Sequence, residues 1–369
     1  MAIRFGDKSI PIERVNASAY RIPTEEPESD GTLQWDATIL VLVEVAAGGE
    51  TGIGYSYADR SSVVLIQDKL AGVIQEHDAL DVPGAWKALQ DAIRNLGRPG
   101  IAAMAISAID VALWDLKARL LGLPLVTLLG QALDGLPVYG SGGFTSMTME
   151  QLGQQLCGWA AEGIGRVKMK VGRDPKADPA RVRAARQAIG PDVDLFVDAN
   201  GAYSRKQALA LAEVFAEQGV TWFEEPVSSD DLDGMRLLCD RAPAGIEIAS
   251  GEYGYDLFYF RRMLEASAVD VLMPDATRCS GLSSFLRVGA LCEAFGVPIS
   301  AHCAPALHLH ICCAMTNVRH IEYFYDHARI EQRLFDGATR PVGGVLHPDR
   351  SRPSLGLEFK RADAQRFAL

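Results

Sequence analysis

Three acidic residues stand just beyond short apolar runs that recur along the chain. Phe196-Val197 leads to Asp198, Val220-Thr221-Trp222-Phe223 to Glu224, and Ile246-Glu247-Ile248-Ala249 to Ser250-Gly251-Glu252. Carboxylates gathered at strand exits are costly unless something positive holds them together. Three carboxylate oxygens, completed by water and substrate oxygens, make a hard-cation site, and Mg²⁺ suits such a set. Any one of these acids alone reads as an ordinary solvated loop residue. Three in register, flanked by basic residues and a histidine, do not. Glu225 follows Glu224 directly, and strand alternation points the two in opposite directions, so only one of them faces such a cation.

Removing a proton α to a carboxylate generates an enediolate, whose second negative charge a fixed cation stabilises by several kcal/mol. Such a step needs acid/base groups beside the cation. Lys168 and Lys170 lie two apart on an apolar strand and share a face. Each depresses the other's pKa, as do a nearby metal and burial, which predicts a lysine able to act as a base near neutral pH. Lys-x-Lys is common on solvated loops, but the flanking Val167, Met169 and Val171 argue for an inner strand. Asp275 and His302 end two successive apolar runs. A carboxylate accepting from one imidazole nitrogen fixes the tautomer and raises the basicity of the other. Glu322 ends the next run and is expected to donate a hydrogen bond to the enediolate if it is kept protonated. His308 and His310 follow on an expected helix and read as structural.

The elements that position these residues form a repeat. Apolar runs centre near residues 138, 167, 196, 222, 248, 271, 299 and 321, each followed by a helical stretch. That spacing is about what a strand, a loop, a helix and a second loop require. Eight such units fit a closed parallel (β/α) barrel, with chemistry at the C-terminal strand ends. An open doubly wound sheet would want a phosphate loop after its first strand. Gly140-Ser141-Gly142-Gly143 begins like one, but Thr145 stands where the third glycine belongs.

The first 130 residues read differently. Ala37 to Ala47, a Gly48-Gly49 turn and Thr51 to Tyr57 predict a hairpin. Ser61-Ser62 is expected to cap a helix, and Ala102 to Leu121 predicts a long apolar helix stopped at Gly122-Leu123-Pro124. Strands followed by helices suggest a separate α+β domain over residues 1–130, with the barrel over 131–342 and a segment 343–369 running back onto the first domain.

The chain has 369 residues, 48% of them apolar, and a formal net charge of −11. That charge gives no reason to expect nucleic acid or another polyanion as partner. No long uncharged apolar run and no basic-then-apolar leader is present, so a soluble cytoplasmic protein without a membrane partner is expected. Seven cysteines without paired CxxC spacing read as reduced thiols, mostly core.

The ordered motifs Val167-Lys168-Met169-Lys170, Val197-Asp198-Ala199-Asn200, Phe223-Glu224-Glu225-Pro226, Gly251-Glu252, Met273-Pro274-Asp275, Ser300-Ala301-His302 and Ile321-Glu322 resemble those of the enolase superfamily, mandelate racemase-like subgroup. The resemblance spans the barrel, and the first 130 residues fit that family's capping domain. It implies a modified TIM-type barrel and Mg²⁺ held by Asp198, Glu224 and Glu252. It implies Lys170 and His302 as acid/bases, His302 paired with Asp275, and Glu322 as a further catalytic residue. Lys168 becomes the partner of the substrate carboxylate and Asn200 a substrate-binding residue. It also implies a small-molecule carboxylate substrate and a homo-oligomer. Gly281-Leu282 and Cys303 depart from the pattern without touching this chemistry.

Asp275 at the sixth strand, where related muconate-cyclising and dipeptide-epimerising enzymes have a lysine, disfavours those branches. Lys170 and His302 on opposite faces of one carbon serve a racemase, or a dehydratase in which one takes the α-proton and the other protonates the departing β-hydroxyl. Most of the subgroup that the chain resembles dehydrates sugar acids, and that is the leading expectation. A metal-free Schiff-base enzyme using Lys170, or a barrel that only binds, stays open as well. The segment Thr24 to Gly31, with four acids and no large apolar residue, is expected to be a loop closing over a hydroxylated substrate.

Overall fold

The structure, a computed structural model, describes residues 9–369. Arg14–Ser29 (β1), Gln34–Ala47 (β2) and Glu50–Tyr57 (β3) form an antiparallel sheet in that order. Ala47 pairs with Glu50 across Gly48 and Gly49, whose φ values of +59° and +84° give the doubly left-handed turn that matches strand twist. The Ile101–Leu121 helix packs on this sheet and is buried along most of its length. Neither Ser61 nor Ser62 caps the Ser61–Leu65 helix: Arg60 stands at its N-cap without a side-chain bond, and Asp59 accepts from the Ser61 amide at 2.8 Å.

Residues 24–29 are not a loop. They continue β1, whose pairing with β2 breaks between Pro23 and Glu28 and resumes at Glu28 opposite Trp35. Pro23 and Pro27 lack the amide a ladder needs, which accounts for the break. Glu25 and Glu26 stay exposed, whereas Glu28, Ser29 and Asp30 turn inward.

Eight parallel strands follow: Leu136–Gly142 (β4), Arg166–Lys170 (β5), Asp194–Asp198 (β6), Val220–Glu224 (β7), Glu247–Ser250 (β8), Val271–Leu272 (β9), Ile299–Ala301 (β10) and Val318–Phe324 (β11). Each pairs with the next, and β11 pairs with β4 from Ile321 opposite Val138 to Phe324 opposite Ser141. The sheet is therefore a closed barrel, with its strands at the expected centres. Gly140-Ser141-Gly142 is simply the end of β4. Connecting helices cover the outside, two of them started by capping boxes at Thr148/Gln151 and Ser204/Gln207. Tyr139, Phe196, Trp222, Val271 and Met273 pack inside the barrel beneath its C-terminal mouth.

The last residues touch both parts. Val345–Leu346 pairs antiparallel with Pro137 and Leu136 at the start of β4. Farther on, Glu358 binds Arg119 at 2.7 Å and the Leu369 amide donates to the Ala19 carbonyl at 3.0 Å. Among the described residues no helix is long and apolar enough to cross a membrane.

Candidate active site

Strand register sets one level of the site. Lys170 on β5 lies opposite Asp198 on β6, and Asp198 opposite Glu224 on β7. Glu252 reaches the same level through Gly251, whose φ is +145° and whose Cβ, if present, would lie 2.8 Å from the Met273 amide nitrogen. Only glycine tolerates that approach. Asp198, Glu224 and Glu252 each offer a buried oxygen within 4.8 Å of the others. Glu252 Oε2 is buried without a hydrogen-bond partner. An all-oxygen, anionic set with such an atom fits a hard divalent cation. Glu225 stands apart from the trio, its Oε1 accepting from Ser250 Oγ at 3.0 Å.

Two cations press against these acids from the β5 side. Lys170 Nζ is 2.5 Å from Asp198 Oδ2. Lys168 Nζ, one pleat deeper, is 2.7 and 2.6 Å from the two Glu224 oxygens and 2.8 Å from Glu322 Oε1. Its donors are thus directed to protein carboxylates. On the other flank, His302 follows β10 and its Nδ1 is 2.8 Å from Asp275 Oδ2, so the expected dyad forms. Asp275 is itself held by the Thr277 amide at 2.7 Å. His302 Nε2 then lies 3.3 Å from Glu252 Oε2. The trio of carboxylates sits between Lys170 and His302.

Two electrostatic expectations are corrected. Lys170 is not depressed by its neighbour: burial and Lys168 pull its pKa down, but Asp198, Glu224 and Glu252 outweigh them and hold it above the ordinary lysine value. Glu322 is not kept protonated. Burial raises it, yet Lys168, His302 and Lys170 hold it well below the usual carboxylate range. Its oxygens accept from Ser141 Oγ at 2.6 Å and the Cys303 amide at 3.0 Å, so it serves as an acceptor and not as a donor. His302 is likewise held above its ordinary value: burial lowers it, and Cys303, Glu252, Glu322 and the Asp275 hydrogen bond prevail.

Lys170, Glu252, His302 and Glu322 line a cavity of about 590 Å³ between barrel and cap. Asn200 lines it, with φ +46°, its amide donating to Asp198 Oδ1 at 2.9 Å and its own Oδ1 buried and unpartnered. The capping side contributes Leu33, Trp35, Ile39, Tyr57, Ile101 and Met104.

Residues 22–130 match the mandelate racemase/muconate lactonizing enzyme N-terminal domain, and residues 151–364 the enolase C-terminal domain-like model. The chain belongs to the mandelate racemase-like subgroup of the enolase superfamily. A 3,6-anhydro-alpha-L-galactonate cycloisomerase of Streptomyces coelicolor is 32% identical over 95% of this chain and 98% of that one. L-talarate/galactarate dehydratase of Salmonella typhimurium is 31% identical over 88% of this chain and 83% of its own. Its crystal structure liganded with Mg and L-lyxarohydroxamate matches with a TM-score of 0.89 at 28% identity, covering 98% of this chain and 94% of that one. A mandelate racemase/muconate lactonizing enzyme-like protein from Rubrobacter xylanophilus matches with a TM-score of 0.95 at 56% identity, covering 97% and 100%.

Within this family fold, several residues escaped the reading of the sequence. Arg278, three residues beyond Asp275 in the turn after β9, places Nη1 3.1 Å from Glu252 Oε1 and Nε 3.7 Å from Asp275 Oδ2. Its spacing from Asp275 was the available signal. Tyr253, next to Glu252, lies under the Arg278 guanidinium at 5.5 Å. Trp222 Nε1 donates to Glu224 Oε2 at 3.1 Å from the pleat below. His308 and His310 are structural as expected: His308 Nε2 accepts from the Ala276 amide at 2.8 Å and His310 Nδ1 from the Val126 amide at 3.2 Å.

Proposed function

We propose that this protein is a Mg²⁺-dependent dehydratase of a sugar acid bearing a single carboxylate. The observation that carries the reading is the three-carboxylate cluster flanked by Lys170 on one side and the Asp275-oriented His302 on the other. A divalent cation bound by Asp198, Glu224 and Glu252 would supply charge that offsets the acids now holding Lys170 and His302 protonated, and would stabilise the second negative charge of an enediolate. Neutral Lys170 or His302 then accepts the α-proton at Nζ or Nε2. The other, protonated, donates to the β-oxygen as the C–O bond breaks and water leaves. The enol that remains takes a proton at the β-carbon and becomes a 2-keto-3-deoxy acid. Asp275 keeps Nε2 of His302 facing the reacting carbons. Asn200, through its free Oδ1, receives a substrate hydroxyl, and Glu322 with Lys168 fixes the charge balance on the cavity floor.

Preference for a single carboxylate rests on the cavity walls. Lys170 and Arg278 are the cavity's lysine and arginine, and both already answer Asp198, Glu252 and Asp275. The capping side offers apolar groups, with acids Asp30 and Asp59 beside them. Arg173 touches the same turn, donating to the Leu33 carbonyl at 3.3 Å, but does not line the cavity. A second carboxylate would find no free cation among the described lining residues. A sugar acid with a deoxy or anhydro end suits that wall, and the 32% identity to a cycloisomerase of an anhydro-sugar acid favours expulsion of a ring oxygen from the same β-position as a second reading.

Incubating a panel of aldonic, deoxyaldonic, anhydro and aldaric acids with enzyme and Mg²⁺ in deuterium oxide tests this. A 2-keto-3-deoxy product from a monocarboxylic acid is expected. Recovering only the inverted α-hydroxy acid would establish a racemase or epimerase instead.

A further inference from the structure

We propose that His302, Cys303 and Glu322 form a second metal site, one that binds Zn²⁺ beside the carboxylate trio. The donors are of three kinds and meet at one point. Cys303 Sγ is 3.3 Å from His302 Nε2 and 3.4 Å from Glu322 Oε2, and those two lie 3.8 Å apart. Zinc bond lengths with tetrahedral angles require donor separations of about 3.3–3.6 Å; the two sulfur separations lie in that range, and the 3.8 Å between His302 and Glu322 must close by a few tenths of an ångström when the ion binds. All three residues are buried, and all three line the cavity, which leaves a fourth coordination position open to it.

Neighbouring side chains on an extended strand point to opposite faces, so His302 and Cys303 could not share a ligand from regular backbone. Here the chain turns left-handed immediately after β10, with φ +52° at Cys303 and +40° at Ala304. That turn brings the thiol round to Nε2. Two of the donors, His302 and Glu322, are also aimed by partners on their other side. Asp275 occupies His302 Nδ1 at 2.8 Å and leaves Nε2 as the ligand nitrogen, the carboxylate–histidine support found behind metal-bound imidazoles. Ser141 Oγ at 2.6 Å and Lys168 Nζ at 2.8 Å occupy Glu322 Oε1, while Oε2 accepts from the Cys303 amide at 3.0 Å and keeps a second lone pair toward the thiol.

The set differs in kind from Asp198, Glu224 and Glu252. Sulfur and nitrogen favour a thiophilic, tetrahedral ion, and an all-oxygen trio favours Mg²⁺, so the two cations sort themselves. Thiolate, not thiol, is the ligand, so coordination releases the Cys303 proton. Zinc on Nε2 also withdraws the nitrogen that the dehydratase reading uses as acid/base. On that reading, low concentrations of Zn²⁺ inhibit the Mg²⁺-loaded enzyme.

Titrating Co²⁺ into the full chain at saturating Mg²⁺ reads the site directly. One equivalent should bind with a thiolate-to-cobalt charge-transfer band, which Zn²⁺ abolishes by displacement. Cys303→Ser should lose the band and weaken Co²⁺ binding at least about 100-fold. Absence of the band in the wild type, or its survival in Cys303→Ser, overturns the site. A measurement on the unaltered chain guards against a variant that folds poorly: Zn²⁺ should slow iodoacetamide alkylation of Cys303, mapped by mass spectrometry, and leave exposed Cys157 unaffected. Equal alkylation of Cys303 with and without Zn²⁺ overturns the site too. Bound Zn²⁺ that leaves turnover unchanged supports the site and overturns the role given to His302.

Discussion

The barrel side of the cavity presents Lys170, Asn200, Glu252, Arg278, His302 and Glu322, whereas the capping side presents Leu33, Trp35, Ile39, Tyr57, Ile101 and Met104. On the barrel side, charged groups are buried and paired within a few ångströms, held by strand register. Burying such ions costs several kcal/mol each, and their mutual attraction seldom returns more than that. An apolar barrel mouth would often be at least as stable, so buried charge here accords with the proposed chemistry rather than with stability. The capping side carries little charge, and two of its apolar residues, Leu33 and Ile101, are 63% and 44% exposed. It is joined to the eighth barrel unit by contacts such as Thr38 Oγ1 to Asp326 Oδ2 at 2.5 Å and Arg329 Nη2 to the Pro23 carbonyl at 2.9 Å. On the proposed function, one wall carries out the reaction and the other selects what enters.

The sharpest break in that division comes from the floor. Asp198→Asn, Glu224→Gln or Glu252→Gln should each abolish turnover and weaken Mg²⁺ binding measured by calorimetry, because each removes an anionic oxygen from one cation. Chelation of the wild type should do the same. Full activity in excess chelator would sink the metal reading.

Next in size are the two acid/bases, each expected to contribute about 10²–10⁴-fold. If His302 protonates the leaving oxygen, His302→Asn should lose dehydration yet retain exchange of the substrate α-proton with deuterium, and Lys170→Ala should lose that exchange. With the opposite substrate stereochemistry the roles swap, and Asp275→Asn should impair exchange nearly as much as losing His302. Near-wild-type dehydration in both single variants would remove these residues from the mechanism.

The floor was legible in the sequence and the roof was not, for a physical reason. Asp198, Glu224, Glu252, Asp275 and His302 follow apolar runs whose repeat dictates a barrel, and a barrel places all strand exits on one rim. Local pattern therefore carried global position. What that pattern could not carry was charge state. Lys168 and Lys170 looked like a mutually depressing pair, but their pKa values follow carboxylates 28 to 154 residues away, Asp198, Glu224 and Glu322. On the roof, position depends on contacts between distant segments, such as Tyr55 Oη to Glu331 Oε1 at 2.6 Å. The stretch from Thr24 to Gly31 shows the same limit: its proline and acids have loop composition, yet it carries β1 across a break in the ladder to renewed pairing with β2 at Glu28 and Ser29. Its lack of large apolar residues also misled, since the turn it enters and the start of β2 supply Leu33 and Trp35 to the cavity.

A smaller effect tests the roof's selectivity. Ile101→Arg adds a cation at the exposed start of the Ile101–Leu121 helix, on the cavity wall. The kcat/KM for aldaric acids relative to the matching aldonic acids should rise about tenfold, equivalent to about 1.4 kcal/mol. A cation at a helix N-terminus costs a few tenths of a kcal/mol, so the ratio is the quantity to compare. An unchanged ratio, or a wild type that prefers diacids, would overturn the assignment of selectivity to this wall.

The smallest effect concerns how the roof is held. Glu28 Oε2 accepts from Trp35 Nε1 at 2.9 Å, and Trp35 lines the cavity. Burial, followed by the nearby Asp326 charge, raises the Glu28 carboxyl from 4.5 to about 8, against the opposing pulls of Trp35 and Arg329. Between those two values the folded chain keeps a proton that the unfolded chain has lost. Stability therefore falls as pH rises through that window, with a slope of up to about 1.4 kcal/mol per pH unit. Glu28→Gln keeps a carbonyl oxygen for Trp35 and has no proton to lose. Wild type and variant should unfold at similar temperatures at pH 5 and diverge by pH 8, with the variant the more stable. The KM of the wild type, which depends on Trp35, should rise over the same range while the variant's stays flatter. Parallel thermal midpoints from pH 5 to pH 8 would show that Glu28 is already ionised in the folded chain, and that the roof is not tethered through a neutral carboxyl.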